Sequence, residues 1–497
     1  MYIYNTRSYI VNLHPGTSTE EVRVGSSLPL RRSKDSSKFA MSPSRGTVVA
    51  RTTTAAAVGT GAALTCAVLL VAYRWQKETS RCHQEPTTSA YESLVGSTPL
   101  VRLNKLSSLL GNNRSIYVKM ECMNPGGTGK DRAALRMIQD AEKCRHLPPP
   151  LDPSTSTSSL PPLNCVSPSS NENDEDSSNE IDNSIGLAVS RSRTGGIVVE
   201  GTSGSTGISL ASLCAVRGHS CIVVIPDDQA KEKQTTLRCL GAVVHVVPNA
   251  AISNPNQYVN VARRIAKRIN TRYGQESGTI IKAAFINQFE NLSNYMVHRD
   301  VTGPELWSQS SGKIDAFVMS SGTGGTIAGV GQYLKSRSND VKVVLVDPPG
   351  SALYNKIEHG VAFASQQCER SLRRNRYDTL AEGIGLDRIT ANFSKGCDYG
   401  GIDQAVRVSD QEAVDMAHWL LREEGIFVGS SSAMNIVGAV RVAAGMPSGR
   451  SVVTIICDGG QRHLTRFWNR DFIEVDRGLQ WPDHGASSKL PDCLESI

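Results

Sequence analysis

The sequence predicts an α/β fold in which helices pack on both faces of mostly parallel sheets. Three observations predict it. Short β-branched runs such as Cys221-Ile222-Val223-Val224-Ile225 and Val341-Lys342-Val343-Val344-Leu345-Val346 read as strands buried in a parallel sheet. Three times, an apolar run leads through a Gly-rich turn into a helical stretch. The 497 residues are also long for a single domain.

Residues 1–53 are rich in Ser, Thr and Arg, with few acids. Residues 54–73 carry no charge over a length that can cross a bilayer core. Arg45 and Arg51 precede this stretch, and Arg74, Lys77 and Arg81 follow it. It runs too long, and starts too far from Met1, for a secretory signal peptide. A transmembrane anchor is expected, with a cleaved organelle presequence as the alternative. The near-symmetric flanking charges set no orientation.

The first strand–turn–helix unit runs from 115–121 through Asn124-Pro125-Gly126-Gly127-Thr128-Gly129 to Lys130 and a helical stretch at 132–144. A lysine directly after such a turn is held rigidly and offered as a nucleophile to a carbonyl. The plainer alternative is a basic helix start. Residues 148–194 then break the pattern with Pro148-Pro149-Pro150, Ser and Thr runs, and an acidic stretch at 171–176. Such a composition predicts a disordered surface insert.

The second unit is the strand 197–200, then Gly201-Thr202-Ser203-Gly204-Ser205-Thr206-Gly207, then a helix from Ile208. The third is the strand 314–319, then Ser320-Ser321-Gly322-Thr323-Gly324-Gly325-Thr326, then a helix from Ile327. Both arrangements aim backbone N–H groups and a helix N-terminus at an anion, a phosphate or a carboxylate. Neither has the glycine spacing of a dinucleotide site. A tight strand-to-helix turn remains the simpler reading of either loop alone.

Composition narrows the function classes. The net charge is +6 with 20% charged residues, and no basic stripe interleaves with aromatics, so nucleic acid is not an expected partner. The 12 cysteines include no C-x-x-C pair, which leaves no expected metal site and points to a reducing compartment.

Taken together, these segments resemble the fold type II enzymes that use pyridoxal 5'-phosphate, the tryptophan synthase β-subunit-like group. Within it they resemble the cysteine synthase and cystathionine β-synthase branch. The resemblance runs from about residue 91 to about 481 and includes Val95-Gly96-Ser97-Thr98-Pro99-Leu100, Gln288-Phe289-Glu290-Asn291, Glu382-Gly383-Ile384-Gly385 and 424–433. It implies a catalytic core at 88–481, with a smaller mobile domain at about 121–285, a larger one at about 88–120 and 286–481, and a tail at 482–497. The active site would lie between the two α/β domains.

Position by position, Lys130 resembles the lysine that binds the cofactor aldehyde covalently and later moves a proton. Gly322, Thr323, Gly324, Gly325 and Thr326 resemble the cofactor's phosphate cup, and Ser431 the partner of its ring nitrogen. Thr202, Ser203, Gly204 and Thr206, with Gln288, resemble the grip on the substrate carboxylate. Ser205 stands where the family has an Asn that contacts cofactor and substrate; its hydroxyl is shorter and offers one donor instead of two. Gly129 replaces a usual Val before the lysine, and Leu386-Asp387-Arg388 departs from the usual pocket mouth.

The implied reaction is β-replacement: O-acetylserine, or a related O-acylserine, and sulfide give L-cysteine and acetate. The alternatives are cystathionine β-synthase or cysteine-desulfhydrase activity, or a membrane-tethered cofactor-binding protein with little turnover. The family implies a homodimer. The moderately apolar span at 54–73 resembles the anchors of the mitochondrial outer membrane, which with reduced cysteines implies a catalytic part facing the cytosol.

Overall fold

The computed structural model describes residues 90–151, 177–273, 281–364, 379–398 and 400–482. The described residues all fall within one compact unit, 86–497. The expected N-terminal segment, the expected membrane span at 54–73 and the tail beyond 482 lie outside the described residues. Among the described residues, no helix is long and apolar enough to cross a membrane.

The described strands, in chain order, are β1 (Leu100–Arg102), β2 (Ser115–Met120), β3 (Gly196–Gly201), β4 (Ser220–Pro226) and β5 (Val243–Val247), then β6 (Lys282–Phe285), β7 (Ala316–Ser320), β8 (Lys342–Asp347), β9 (Gln404–Arg407) and β10 (Ser451–Ile456). They form two sheets. A six-stranded sheet has the order β1-β2-β10-β7-β8-β9 and is parallel except where β1 meets β2. A four-stranded sheet, β5-β4-β3-β6, is parallel throughout. The four-stranded sheet draws all its strands from 196–285, and the other takes its strands from either side of that stretch.

Strand position explains strand composition. Every residue of β3, β4 and β7 is buried, as apolar runs covered on both faces should be. The edge strand β5 alternates buried and half-buried positions. In β3, Ile197 and Val199 face the helix Tyr258–Tyr273, with Val259, Ala262 and Ile265. Val198 faces the other side, where the helix Ser205–Arg217 brings Leu210 and Leu213. This is the period-two alternation of a strand between two helical layers. The six-stranded sheet is covered likewise, by Gly325–Arg337 on one face and by Asp410–Glu423 with Ser430–Ala444 on the other.

Part of the stretch expected as a disordered insert is helical. Residues Ser177–Arg191 form a helix whose Ile185 and Ala188 are fully buried against Ile222, Val224 and Val243. Asp182 pairs with Arg268 at 2.5 Å. At the other end, Leu147 is buried and Leu151 N donates to Arg217 O at 3.0 Å. The physical reason is local. Ile181, Ile185 and Ala188 lie four and three residues apart, one face of a helix, inside a stretch whose average composition is polar. Residues 152–176 of the insert lie outside the described residues.

Candidate active site where the strand-to-helix loops converge

Parallel strands bring their carboxyl ends to the same side, where open α/β sheets bind ligands. Here those ends line one open cleft. Its walls include Thr128, Lys130, Ser203, Ser205, Thr206 and Gln288 from one group of loops. Gly322, Thr323, Gly324, Thr326 and Ser431 supply the facing wall.

The lysine loop is tied down on every side. Gly127 N closes a turn on Asn124 O at 2.7 Å, and Gly126 N donates to Asp131 Oδ2 at 2.5 Å. The other Asp131 oxygen accepts from Ser209 Oγ, and the Arg462 guanidinium donates to Gly126 O. A side chain at 126 would collide with the Asp131 carboxyl, so glycine is required there. Thr128 pairs with Asp458, and Gly129 N donates to Cys457 O at 3.3 Å. Lys130 therefore opens the helix Lys130–Lys143 from a fixed platform. Gly129 has ordinary right-handed backbone angles, and a Cβ there would meet Glu121 Oε2 at 3.2 Å. The glycine makes room for Glu121.

Glu121 belongs to a buried ion cluster under the lysine helix. Arg132 pairs with Glu121 at 2.7 Å and with Glu305 at 2.8 Å, and Lys119 pairs with Glu305 at 2.8 Å. Burial alone would raise the Glu305 carboxyl, but Arg132 and Lys119 hold it down at about 2.

The two Gly-rich loops differ in what stands behind them. In the loop after β3, Gln288 Nε2 donates to Gly201 O at 3.1 Å, so Gln288 Oε1 faces Thr206 and accepts its hydroxyl at 2.6 Å. The Thr206 proton is thus spent on Gln288. Behind Gln288, Glu200 accepts from Asn287 N at 2.7 Å and Gln288 N at 3.3 Å. Complete burial still pushes this carboxyl up to about 8. In the loop after β7, Gly324 has φ +86°, and a Cβ there would lie 2.7 Å from the Phe393 backbone nitrogen. A Cβ at Gly322 would collide with Gly383 O. Asn294 Nδ2 donates to Thr323 Oγ1 at 2.8 Å, and Thr326 Oγ1 meets His298 Nε2 at 3.2 Å.

Ser431 sits in the first turn of the helix Ser430–Ala444, buried beside Cys457. Burial and Asp458 push the Cys457 thiol up to about 11, so it is neutral. Across the cleft wall, Lys233 pairs with Glu382, which also meets Arg466 at 3.2 Å. His463 bridges to Asp458 at 3.1 Å. Burial would raise both carboxyls, but Lys233 keeps Glu382 low and His463 holds Asp458 at about 2.

Most of the expected site residues meet at this cleft; three do not line it. Thr202 is buried and its hydroxyl accepts from Gly204 N at 3.1 Å, so it shapes the loop. Gly204 lies against the Lys233 stem, and Gly325 against Asn294. Of the unusual stretch at the mouth, Leu386 lines the cleft, whereas Arg388 stacks on the Phe289 ring at 4.9 Å. The sequence reading missed Lys233, Asp458, His463 and Arg466. A signal was present for the segment around Asp458: the β10 run ends in Asp458-Gly459-Gly460, a fourth strand leading into a Gly-rich turn.

The donor set fits a phosphorylated aldehyde. An amine shares the cleft with the backbone of Gly322 and Gly324, with two threonine hydroxyls and with a helix N-terminus. Ser320 Oγ, also on the cleft wall, is buried with no hydrogen-bond partner among the described residues.

Known proteins agree. A family described as pyridoxal-phosphate dependent enzyme matches residues 91–153 and 181–458. Cysteine synthase 2 of Schizosaccharomyces pombe is 40% identical over 390 residues, covering 78% of this chain and 86% of that one. A Saccharomyces cerevisiae relative whose name carries the words mitochondrial cysteine synthase is 41% identical over 389 residues, covering 78% and 86%. The crystal structure of an O-acetylserine dependent cystathionine beta-synthase from Helicobacter pylori aligns with a TM-score of 0.56 at 25% identity, covering 77% of this chain and 99% of that one. The chain belongs to the family of pyridoxal-phosphate dependent enzymes, and is of the cysteine synthase type within it.

Proposed function

We propose that the chain joins sulfide to an activated serine, O-acetylserine or a related O-acylserine, releasing acetate and forming L-cysteine. The observation that carries this reading is the fixed amine of Lys130 facing two Gly-rich, helix-opening loops across one cleft. When bound, the cofactor supplies an electron sink for the substrate's Cα and Cβ bonds. Lys130 would hold its aldehyde, and the same amine would move the proton at the substrate's Cα; such acid–base help is worth roughly 10²–10⁴-fold. Gly322, Thr323, Gly324, Gly325 and Thr326 hold the phosphate. Ser431 offers the ring nitrogen a neutral hydroxyl. A neutral partner does not keep that nitrogen protonated, which suits loss of a leaving group from Cβ over full carbanion chemistry.

Ser203 and Ser205 present backbone N–H groups to the substrate carboxylate, with Thr202 holding Gly204 N and Gln288 holding Thr206 to fix the loop. The smaller domain at about 121–285 closes this loop on the larger one. The catalytic part acts as a homodimer. Residues 54–73 anchor it in the mitochondrial outer membrane with the core facing the cytosol. An uncharged stretch between basic flanks supports the anchor, and the name of the yeast relative supports the mitochondrion alone.

Borohydride reduction followed by peptide mass spectrometry tests the lysine. Lys130→Ala should remove all covalently fixed cofactor without unfolding the chain; attachment elsewhere refutes the assignment. Loaded protein given O-acetylserine and sulfide should form cysteine. Failure with that pair, and turnover with serine and homocysteine, would favour the cystathionine reading. Carbonate extraction and protease protection on isolated mitochondria test the anchor.

A further inference from the structure

We propose that Asn294 and His298 are positioning residues for the phosphate cup: each donates an N–H to a threonine hydroxyl, of Thr323 and Thr326, so that both hydroxyl protons point at the bound phosphate. This rests on reading Gly322 to Thr326 as that cup. The two residues lie one turn apart, at the start of the helix Ser293–Val297 and just beyond its end, so they share one face.

For Asn294 the direction is forced by its partners. Its Nδ2 contacts Gln288 O at 3.1 Å and Thr323 Oγ1 at 2.8 Å. A carbonyl only accepts, so the atom facing it is the NH₂ group, and an NH₂ group only donates. Thr323 Oγ1 therefore accepts and keeps its own proton for the cleft it lines. The loop is also held from behind, because Thr390 Oγ1 donates to Thr323 O at 2.7 Å.

For His298 the direction follows from burial. The ring is buried, with Lys130 and Arg132 close by, and these push it well below its usual range. It is neutral and carries one N–H. Its Nδ1 lies 3.0 Å from Thr302 Oγ1, and Thr302 is fully buried. A buried hydroxyl proton without an acceptor is costly. Nδ1 is the acceptor at hand, so Thr302 donates to it and the ring proton sits on Nε2. That proton faces Thr326 Oγ1 at 3.2 Å. Had the ring carried its proton on Nδ1, Thr326 would turn its hydroxyl away from the cup.

The test compares pyridoxal phosphate with pyridoxal, which lacks the phosphate, on the full chain freed of cofactor. Asn294→Asp keeps the shape but puts an acceptor behind Thr323. It should weaken pyridoxal phosphate roughly 10- to 100-fold and leave pyridoxal unchanged. His298→Leu should act in the same direction, and His298→Gln, which keeps an N–H donor, should recover most of the loss. Equal loss for both ligands, or none, overturns the inference. Thr323→Val and Thr326→Val separate the two levels. If they too leave pyridoxal phosphate binding unchanged, the cup reading fails. If they weaken it while Asn294→Asp does not, only the positioning fails. Nitrogen-15 NMR of the unsubstituted protein needs no variant to fold: the proposal expects His298 neutral with its proton on Nε2, and a proton on Nδ1 refutes it.

Discussion

The loop after β3 and the loop after β7 share a plan, strand to Gly-rich turn to helix, yet differ in what backs them. Behind Gly322 and Gly324 stand backbone atoms, Gly383 O and the Phe393 main chain. Behind Gly204 stands the Lys233 side chain. Their hydroxyls also run oppositely. Thr206 gives its proton to Gln288, whereas Thr323 receives one from Asn294. A wall of backbone cannot yield without moving an element, but a lysine stem can change rotamer. Under the proposed function, the β7 loop would hold one anion in one way and the β3 loop would adjust. That division suits a resident cofactor and a passing substrate.

The strongest way to break this comparison is to add a methyl group to each wall. Gly322→Ala should nearly abolish cofactor binding, because Gly383 O has to move. Gly204→Ala should leave cofactor affinity within a few-fold and act on substrate KM, although its φ of +123° adds strain. Equilibrium dialysis and steady-state kinetics read the two effects. Equal cofactor loss in both would dissolve the distinction.

Next in size is the ion network that joins the two walls. Asp458 sits at about 2, below an unfolded carboxyl near about 3.9, so its stabilisation is present above about pH 4 and is lost as pH falls through 2. Asp458→Asn leaves His463 only the more distant Glu382 carboxylate, at 3.8 Å, and should cost about 1–3 kcal/mol at pH 7, with the difference shrinking toward pH 2. Thermal unfolding across pH checks this.

Asp347, at the end of β8, has the opposite sign. Burial pushes it up to about 7, so its folded form prefers the proton, and stability falls as pH rises from about 4 through 7. Asp347→Asn keeps the oxygen that accepts Tyr354 N at 2.7 Å. Its Tm relative to the unsubstituted chain should rise from pH 5 to pH 8; a constant difference would show that the proton is not taken up.

The smallest expected effect concerns Ser205. If its short side chain limits turnover, Ser205→Asn should raise kcat/KM with O-acetylserine about 10-fold. An unchanged or lower value would mean that the β3 loop is tuned to another donor.

Several of these features were legible in the residues. The lysine turn and both Gly-rich loops were visible as local pattern, because strand period, glycine and helix start are properties of neighbours in sequence. The insert helix was hidden by averaging: three apolar residues at helical spacing vanish in a polar composition. The network of Lys233, Glu382, Asp458, His463 and Arg466 was invisible for another reason. Its members are scattered over more than two hundred positions, and each alone reads as a solvated charge.

The amino-acid sequence by itself determined the α/β class, the strand-to-helix turns and the lysine that follows the first of them, since these follow from the periodicity and chemistry of adjacent residues. Only the tertiary structure decided which way each hydroxyl in the cleft points, which glycines face backbone, and which charges pair. Those depend on distances between segments remote in the chain, and a hydrogen bond or a Cβ clash exists only once the segments are packed together.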